Sequence, residues 1–130
     1  MEKTITLDGN RFSTFETFFN EVEDKLTQNL EWKIGRNLDA FDDVLCGGFG
    51  IHDCDDYLVI KWINSHKSKN DLGWNETIKY LENKLQSCDI SNRQNVNKDL
   101  ELAQQHIGKT LYEIIVGIIK SHDSIKLIEL

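Results

Sequence analysis

The residues best placed to do chemistry in this chain are carboxylates. Between Asn37 and Ile60 stand six aspartates, Asp39, Asp42, Asp43, Asp53, Asp55 and Asp56, with no lysine or arginine among them. The whole chain has 15 basic and 22 acidic residues and a net charge of −7, so this stretch carries nearly all of the excess. Carboxylate pairs can act as general acid and base, but only where different surroundings split their pKa values, and three acids on one exposed helix face lack that contrast. Catalysis is therefore not expected. Asp39 and Asp43 are one helical turn apart with Asp42 beside them, so all three are expected to point outward, away from Phe41 and Val44. Such a face is either plainly solvated or an anionic prong that steers toward a partner's arginines and lysines and pairs with them.

Other reactive side chains form weaker patterns. Cys46, His52 and Cys54, with Asp53 and Asp55, bring soft ligands together, yet their spacing fits none of the paired-ligand zinc patterns, and no metal or cofactor is expected. Cys46 reads as a small packed side chain at a helix end. A cysteine nucleophile paired with His52 is disfavoured, because acidic surroundings hold a thiol protonated. Gly47-Gly48-x-Gly50 follows a helix instead of leading from a strand into one, the wrong setting for a phosphate cradle. Of the tryptophans, Trp62 is expected in the core, Trp74 as a staple at a helix start, and Trp32 as a loop anchor or interface residue. His66, His106 and His122 read as surface or helix-end residues.

Those groups must be positioned by a small body. The chain has 130 residues and 15.1 kDa, with 39% hydrophobic and 28% charged residues, which suits one domain over residues 1–130. Net acidity makes nucleic acid a poor partner. No apolar run is long enough to cross a bilayer, the longest being Ile114 to Ile119, so no membrane association is expected. The opening residues alternate without an apolar signal core, and the three cysteines, Cys46, Cys54 and Cys88, fit free thiols; both point to the cytoplasm.

Alternation over residues 3–7 predicts a first strand, ended by the turn residues Asp8-Gly9-Asn10. Ser13 with Glu16 reads as a capping box for a helix over about 14–27, whose Phe15, Phe18, Phe19, Val22 and Leu26 share a face. Asn37 can cap a short helix in which Leu38, Phe41, Val44 and Leu45 fall within one arc, ending at Gly47-Gly48. Tyr57 to Ile63 is an almost unbroken run of β-formers and predicts a central strand covered on both faces. Three helices are expected after it: one marked by Trp74, Ile78, Leu81 and Leu85, one by Val96, Leu100, Ala103 and Ile107, and one opened by the Thr110-x-x-Glu113 capping box. Ile125 to Leu130 closes the chain as a third strand. Strands joined by helical crossovers imply a small parallel sheet with helices packed on it.

The run from Gly35 to Gly48, Gly-Arg-Asn-Leu-Asp-Ala-Phe-Asp-Asp-Val-Leu-Cys-Gly-Gly, resembles the Gly-x-Asn-Leu-Asp-Ala-x-x-Asp-x-Leu-x-Gly signature of the barstar family, intracellular inhibitors of secreted ribonucleases. The opening strand and helix, Leu58 to Trp62, and the last helix with its strand are similar too, while residues from about 69 to 107 look like the helical insertion of larger members. This resemblance implies an α/β barstar-like sandwich: a three-stranded parallel sheet packed with helices, carrying an extra helical insertion before the last helix. It also implies an acidic helix and preceding loop that plug a ribonuclease active site. Carried over by position, Asp39 and Asp43 match the two inhibitory acids, with Asp43 in the place of an RNA phosphate. Gly35 and Asn37 match the loop and cap, and Cys46 and Gly47 the trailing contacts. The departures are Asp42 where the barnase inhibitor has a tryptophan, Lys33-Ile34 where it has two tyrosines, and Gly117 near a glutamate of its last helix.

The expectation is thus a cytoplasmic inhibitor or immunity protein that binds a basic ribonuclease one to one, using Asp39, Asp43, Asp42, Asn37, Gly35, Cys46, Gly47 and Trp32. An acidic adaptor for a basic partner without nuclease activity is the alternative, and a metal-dependent hydrolase a distant third.

Overall fold

The computed structural model of the chain describes residues 2–27, 37–46 and 57–130. Within them lie strands β1 (Glu2–Asp8), β2 (Tyr57–Ile63) and β3 (Ile125–Glu129), and helices α1 (Phe15–Leu26), α2 (Leu38–Cys46), α3 (Ser65–Asp71), α4 (Trp74–Ser87), α5 (Ile90–Gln104) and α6 (Leu111–Lys120). The strands form one parallel sheet in the order β1-β2-β3, so β2 is central as expected. In register, Ile5, Ile60 and Leu127 make one row, and Leu7, Trp62 and Glu129 the next.

The helices cover the face of the sheet that carries Leu58, Ile60 and Trp62, and these join Phe18, Phe19, Phe41 and Ile115 in one hydrophobic core. The other face carries Thr4, Val59 and Lys126 in one row and Thr6, Lys61 and Ile128 in the next. Thr4, Lys61 and Lys126 are exposed, so among the described residues the central strand is covered on one face, not both. Val59 and Ile63 hide the alternation that would have announced this. Trp62 sits at the centre of the core, stacked on Phe18 with ring centroids 5.8 Å apart and donating from Nε1 to Ser68 Oγ at 2.9 Å.

The turn after β1 needs glycine for space. A side chain at Gly9 would begin 2.5 Å from the Ile63 carbonyl oxygen and 2.6 Å from Ser68 Oγ, while its own N–H donates to that carbonyl at 2.8 Å. Asp8 Oδ1 accepts from the Asn10 N–H at 2.9 Å, completing the turn. The cap of α1 is one residue later than expected. Thr14, not Ser13, is the N-cap, and Thr17, not Glu16, closes the box: the Thr17 N–H donates to Thr14 Oγ1, and the Thr17 hydroxyl accepts from the Thr14 N–H at 2.9 Å. A threonine hydroxyl can accept and donate, so it replaces the usual carboxylate.

Four helices follow β2, not three. The additional one, α3, starts at Asn64, whose left-handed backbone (φ 50°) caps it. Its buried residues are Ser65 and Ser68, which explains why no apolar pattern marks it. Lys67 on α3 ties the β1 turn in place, donating to the carbonyls of Gly9 and Phe12 and to Asp71.

Helices α4 and α5 form a hairpin in which Val96, Leu100 and Ala103 are buried. Ile107 does not extend that stripe: α5 ends at Gln104 and Ile107 is 51% exposed. Trp74 is no staple either; it is the first residue of α4 and stacks on His106 at 5.2 Å. The hairpin is fastened to the body by Thr77, whose Oγ1 accepts from the Leu111 N–H at 2.8 Å and donates to the Gly73 carbonyl at 2.7 Å. The Thr110–Glu113 capping box opens α6 as expected.

Candidate functional site

Helix α2 shows how an acidic surface can be held rigid by an apolar back. Asn37 Oδ1 accepts from the Ala40 N–H at 2.8 Å, satisfying one of the free donors at the helix start. Phe41, Val44 and Leu45 are buried, with exposures of 0%, 1% and 1%. The Phe41 ring meets Phe18 and Phe19 of α1 edge-on, at 5.5 and 6.4 Å between centroids. Leu38 packs against the same core from the first turn. With that arc inward, the turn of about 100° per residue leaves Asp39, Asp42 and Asp43 outward, and all three are exposed.

Their freedom is not equal. Asp39 and Asp43 make no side-chain hydrogen bond or ion pair with another described residue. Asp42 does: its Oδ1 lies 2.6 Å from Nε2 of His122, whose ring is only 19% exposed. His122 occupies the turn between α6 and β3, with its N–H donating to Ile119 and its carbonyl accepting from Ile125. Of the three outward acids, one is therefore held within the chain, and two have no partner among the described residues. This partner lies far along the sequence from Asp42, and no local pattern announces it.

Cys46 differs from expectation. It is an exposed free thiol, because it falls two turns beyond Asp39 and so lies on the acidic side of α2 instead of the packed one. Cys88 is also a free thiol. Trp32, Gly35 and Gly47 lie outside the described residues, as do Gly48, Gly50, His52, Asp53, Cys54, Asp55 and Asp56. Among the described residues no group of three histidine, cysteine or acidic side chains is arranged to hold a metal ion, and no helix is long and apolar enough to cross a membrane.

Two further features bear on the acidic helix. Gly117 on α6, near which the resemblance places a glutamate of the barnase inhibitor, is exposed, and a side chain there would meet nothing within 4 Å. At the first turn of α2, Asn37, Leu38 and Asp39 form one side of a cleft whose other side belongs to α4. The arrangement presents two exposed carboxylates, Asp39 and Asp43, without a partner among the described residues, on a helix braced from behind by Phe41, Val44 and Leu45.

No curated protein and no solved structure matches the chain. A family model described as Barstar (barnase inhibitor) matches residues 2–103, from β1 to the last turn of α5, and the chain belongs to that family.

Proposed function

We propose that this protein inhibits a basic ribonuclease, one to one, by laying the acidic face of α2 into the enzyme's substrate groove. The observation that carries the reading is the pair Asp39 and Asp43: exposed, without a partner among the described residues, and fixed by the burial of Phe41, Val44 and Leu45 behind them. Family membership supplies the class of target. In this reading Asp43 takes the place of an RNA phosphate, Asp39 pairs with a neighbouring cation, and Asn37 sets the angle of the helix. Asp42 contributes charge while bonded to His122. Cys46 borders the contact, and Gly35, Gly47 and Trp32 flank it.

The mechanism is exclusion together with charge. A groove that binds an RNA backbone is lined with cations, and a rigid anion of matching spacing competes for them without offering a bond to cleave. Because the helix that carries the carboxylates is folded and braced before docking, little backbone freedom is lost on binding. An interface of ordinary size would bury about 800 Å² on each partner. Association should slow as salt rises, since exposed charges steer only within the screening length.

The test is RNA cleavage by a panel of barnase-class ribonucleases, with and without the purified protein. The wild type is expected to abolish cleavage by at least one of them. Asp39→Ala and Asp43→Ala should each weaken inhibition by roughly tenfold to a hundredfold, the loss of one charge-assisted hydrogen bond of about 1.5–3 kcal/mol. Unchanged inhibition in both variants would remove α2 from the mechanism. A complex that forms while cleavage continues would favour the adaptor reading instead.

A further inference from the structure

Of the acids on the outward face of α2, Asp42 alone is bonded to a distant part of the described chain. Its Oδ1 stands 2.6 Å from Nε2 of His122, and the pair crosses from α2 to the turn between α6 and β3. That turn is tied on both sides of the histidine: the His122 N–H donates to the Ile119 carbonyl at 3.3 Å, and the His122 carbonyl accepts from the Ile125 N–H at 3.1 Å. The ring is thus carried on fixed backbone, 19% exposed, against a carboxylate that is 53% exposed. Among the described residues no lysine or arginine forms an ion pair with Asp42, so the imidazole has no competitor there. The other charged groups on the elements that meet at this point are Asp39 and Asp43 on α2, Glu113 and Lys120 on α6, Asp123 in the turn, and Lys126 and Glu129 on β3. Lys126 lies on the open face of the sheet, and Glu129 is bonded to Tyr112.

We propose that His122 is a pH sensor for the inhibitory face: on gaining a proton below neutrality it offsets the charge of Asp42 and slows capture of the ribonuclease. This rests on the reading of α2 as the inhibitory helix. Imidazole is the side chain whose charge ordinarily changes between about pH 5 and 8. When neutral, it donates Nε2–H to Asp42 without cancelling any charge, and the face offers the three carboxylates of Asp39, Asp42 and Asp43. When protonated, it puts a cation in contact with one of the three. A basic enzyme is steered by the sum of those charges, so encounter slows. Asp42 also yields less readily to an arginine of the enzyme, because a hydrogen bond between two ions is stronger than one from a neutral donor. Inhibition is then fullest near neutral pH. It is reduced and not abolished on acidification, since neither Asp39 nor Asp43 is bonded to the ring.

The experiment uses whichever barnase-class ribonuclease the wild-type protein inhibits, and measures its association with the wild type and with His122→Gln by stopped flow between about pH 7.5 and 5.5. A glutamine amide can still donate to Asp42 but never gains a charge. The ratio of the two rate constants cancels the titration of the enzyme and of His66 and His106. At low salt the wild type is expected to slow about threefold or more relative to the variant as pH falls, and the difference should vanish at about 1 M salt, where the screening length is about 3 Å. Parallel profiles overturn the inference while leaving α2 intact, provided that Asp39→Ala still weakens inhibition. A wild type that gains on the variant also overturns it, since the imidazolium would then be meeting an acid of the enzyme. A difference that persists at high salt does the same, because pH would be acting through shape and not through charge. The ring resonances of His122 in the free wild type give a second reading that needs no variant: they should titrate across that range, and a ring that keeps one charge state overturns the inference. A wild type that inhibits no ribonuclease overturns both readings.

Discussion

Helices α2 and α5 are built on opposite plans. Helix α2 has nine residues and sends Phe41, Val44 and Leu45 into the main core, where Phe41 touches two aromatic rings of α1. Helix α5 has fifteen and buries Val96, Leu100 and Ala103 outside that core, in the hairpin with α4, leaving most of its surface in water. Length is a poor guide to how firmly a helix is held. A short helix gains little from its own hydrogen bonds and depends on tertiary burial, so the burial behind α2 is what makes its outward face a fixed object. The hairpin is a satellite layer, fastened to the body through Thr77 and Glu76.

The largest effect separates the two regions directly. Phe41→Ala should cost about 3–5 kcal/mol, as truncation of a fully buried aromatic does, and inhibition should fail with it because the charged face loses its backing. Leu100→Ala, in the satellite cluster and 8% exposed, should cost about 2 kcal/mol and leave inhibition unchanged. Urea midpoints and ribonuclease assays on the two variants check this. Equal costs, or loss of inhibition in both, would mean that the hairpin and the core are one cooperative unit.

A smaller effect probes the body alone. Tyr112 on α6 is buried beneath Trp62, and its hydroxyl donates to the Glu129 carboxylate at the end of β3. Burial first, and then the bond to Glu129, push the phenol well above its ordinary value near 10. A raised folded-state pKa means that the unfolded chain loses this proton more readily. Its contribution to stability is whole below pH of about 10 and declines as pH rises from there toward the raised value. Thermal unfolding between pH 9 and 11 should show that decline. Tyr112→Phe should flatten it, at a cost near neutrality of about 1 kcal/mol for the lost hydrogen bond. An equally steep decline in the variant would place the alkaline sensitivity elsewhere.

What was legible in the sequence follows the same division. Elements that bury apolar side chains at a regular period declared themselves: β1, α1, α2, α6 and the order of the sheet. The outward face of α2 was legible for that reason, because Phe41, Val44 and Leu45 define its inward arc and leave Asp39 and Asp43 no other direction. Features made by polar groups across the chain were not legible. Helix α3 buries only serines. Glu21 is buried with its Oε2 accepting from the Asp8 N–H at 2.8 Å, and no apolar pattern on α1 marks it. The His122–Asp42 contact and the Glu76 clamp join residues that no local pattern connects. The caps at Asn37 and Thr110 were legible in place, while that of α1 was legible only to within a residue, since Ser13 and Thr14 offer the same hydroxyl and the choice depends on where Thr17 falls.

The smallest effect bears most directly on what α2 is for. Asp39 and Asp43 are four residues apart on one helix face, where like charges destabilise by about 0.2–0.5 kcal/mol. Asp43 stands in the later half of the helix, where the carbonyl ends of the backbone dipoles disfavour an anion, and no basic residue occupies the last turn to offset it. His122 relieves Asp42 alone. Asp43→Asn should therefore raise stability by a few tenths of a kcal/mol, readable as a higher urea midpoint with unchanged slope, while inhibition weakens. A rise in stability together with unchanged inhibition would mean that the charge serves solubility only. A fall in stability would mean that Asp43 is bonded within its own chain, and the face that α2 turns outward would then have a structural use instead of a partner. The predicted pairing of opposite signs, firmer fold and weaker inhibition, is what distinguishes a surface shaped for another molecule from one shaped by its own fold.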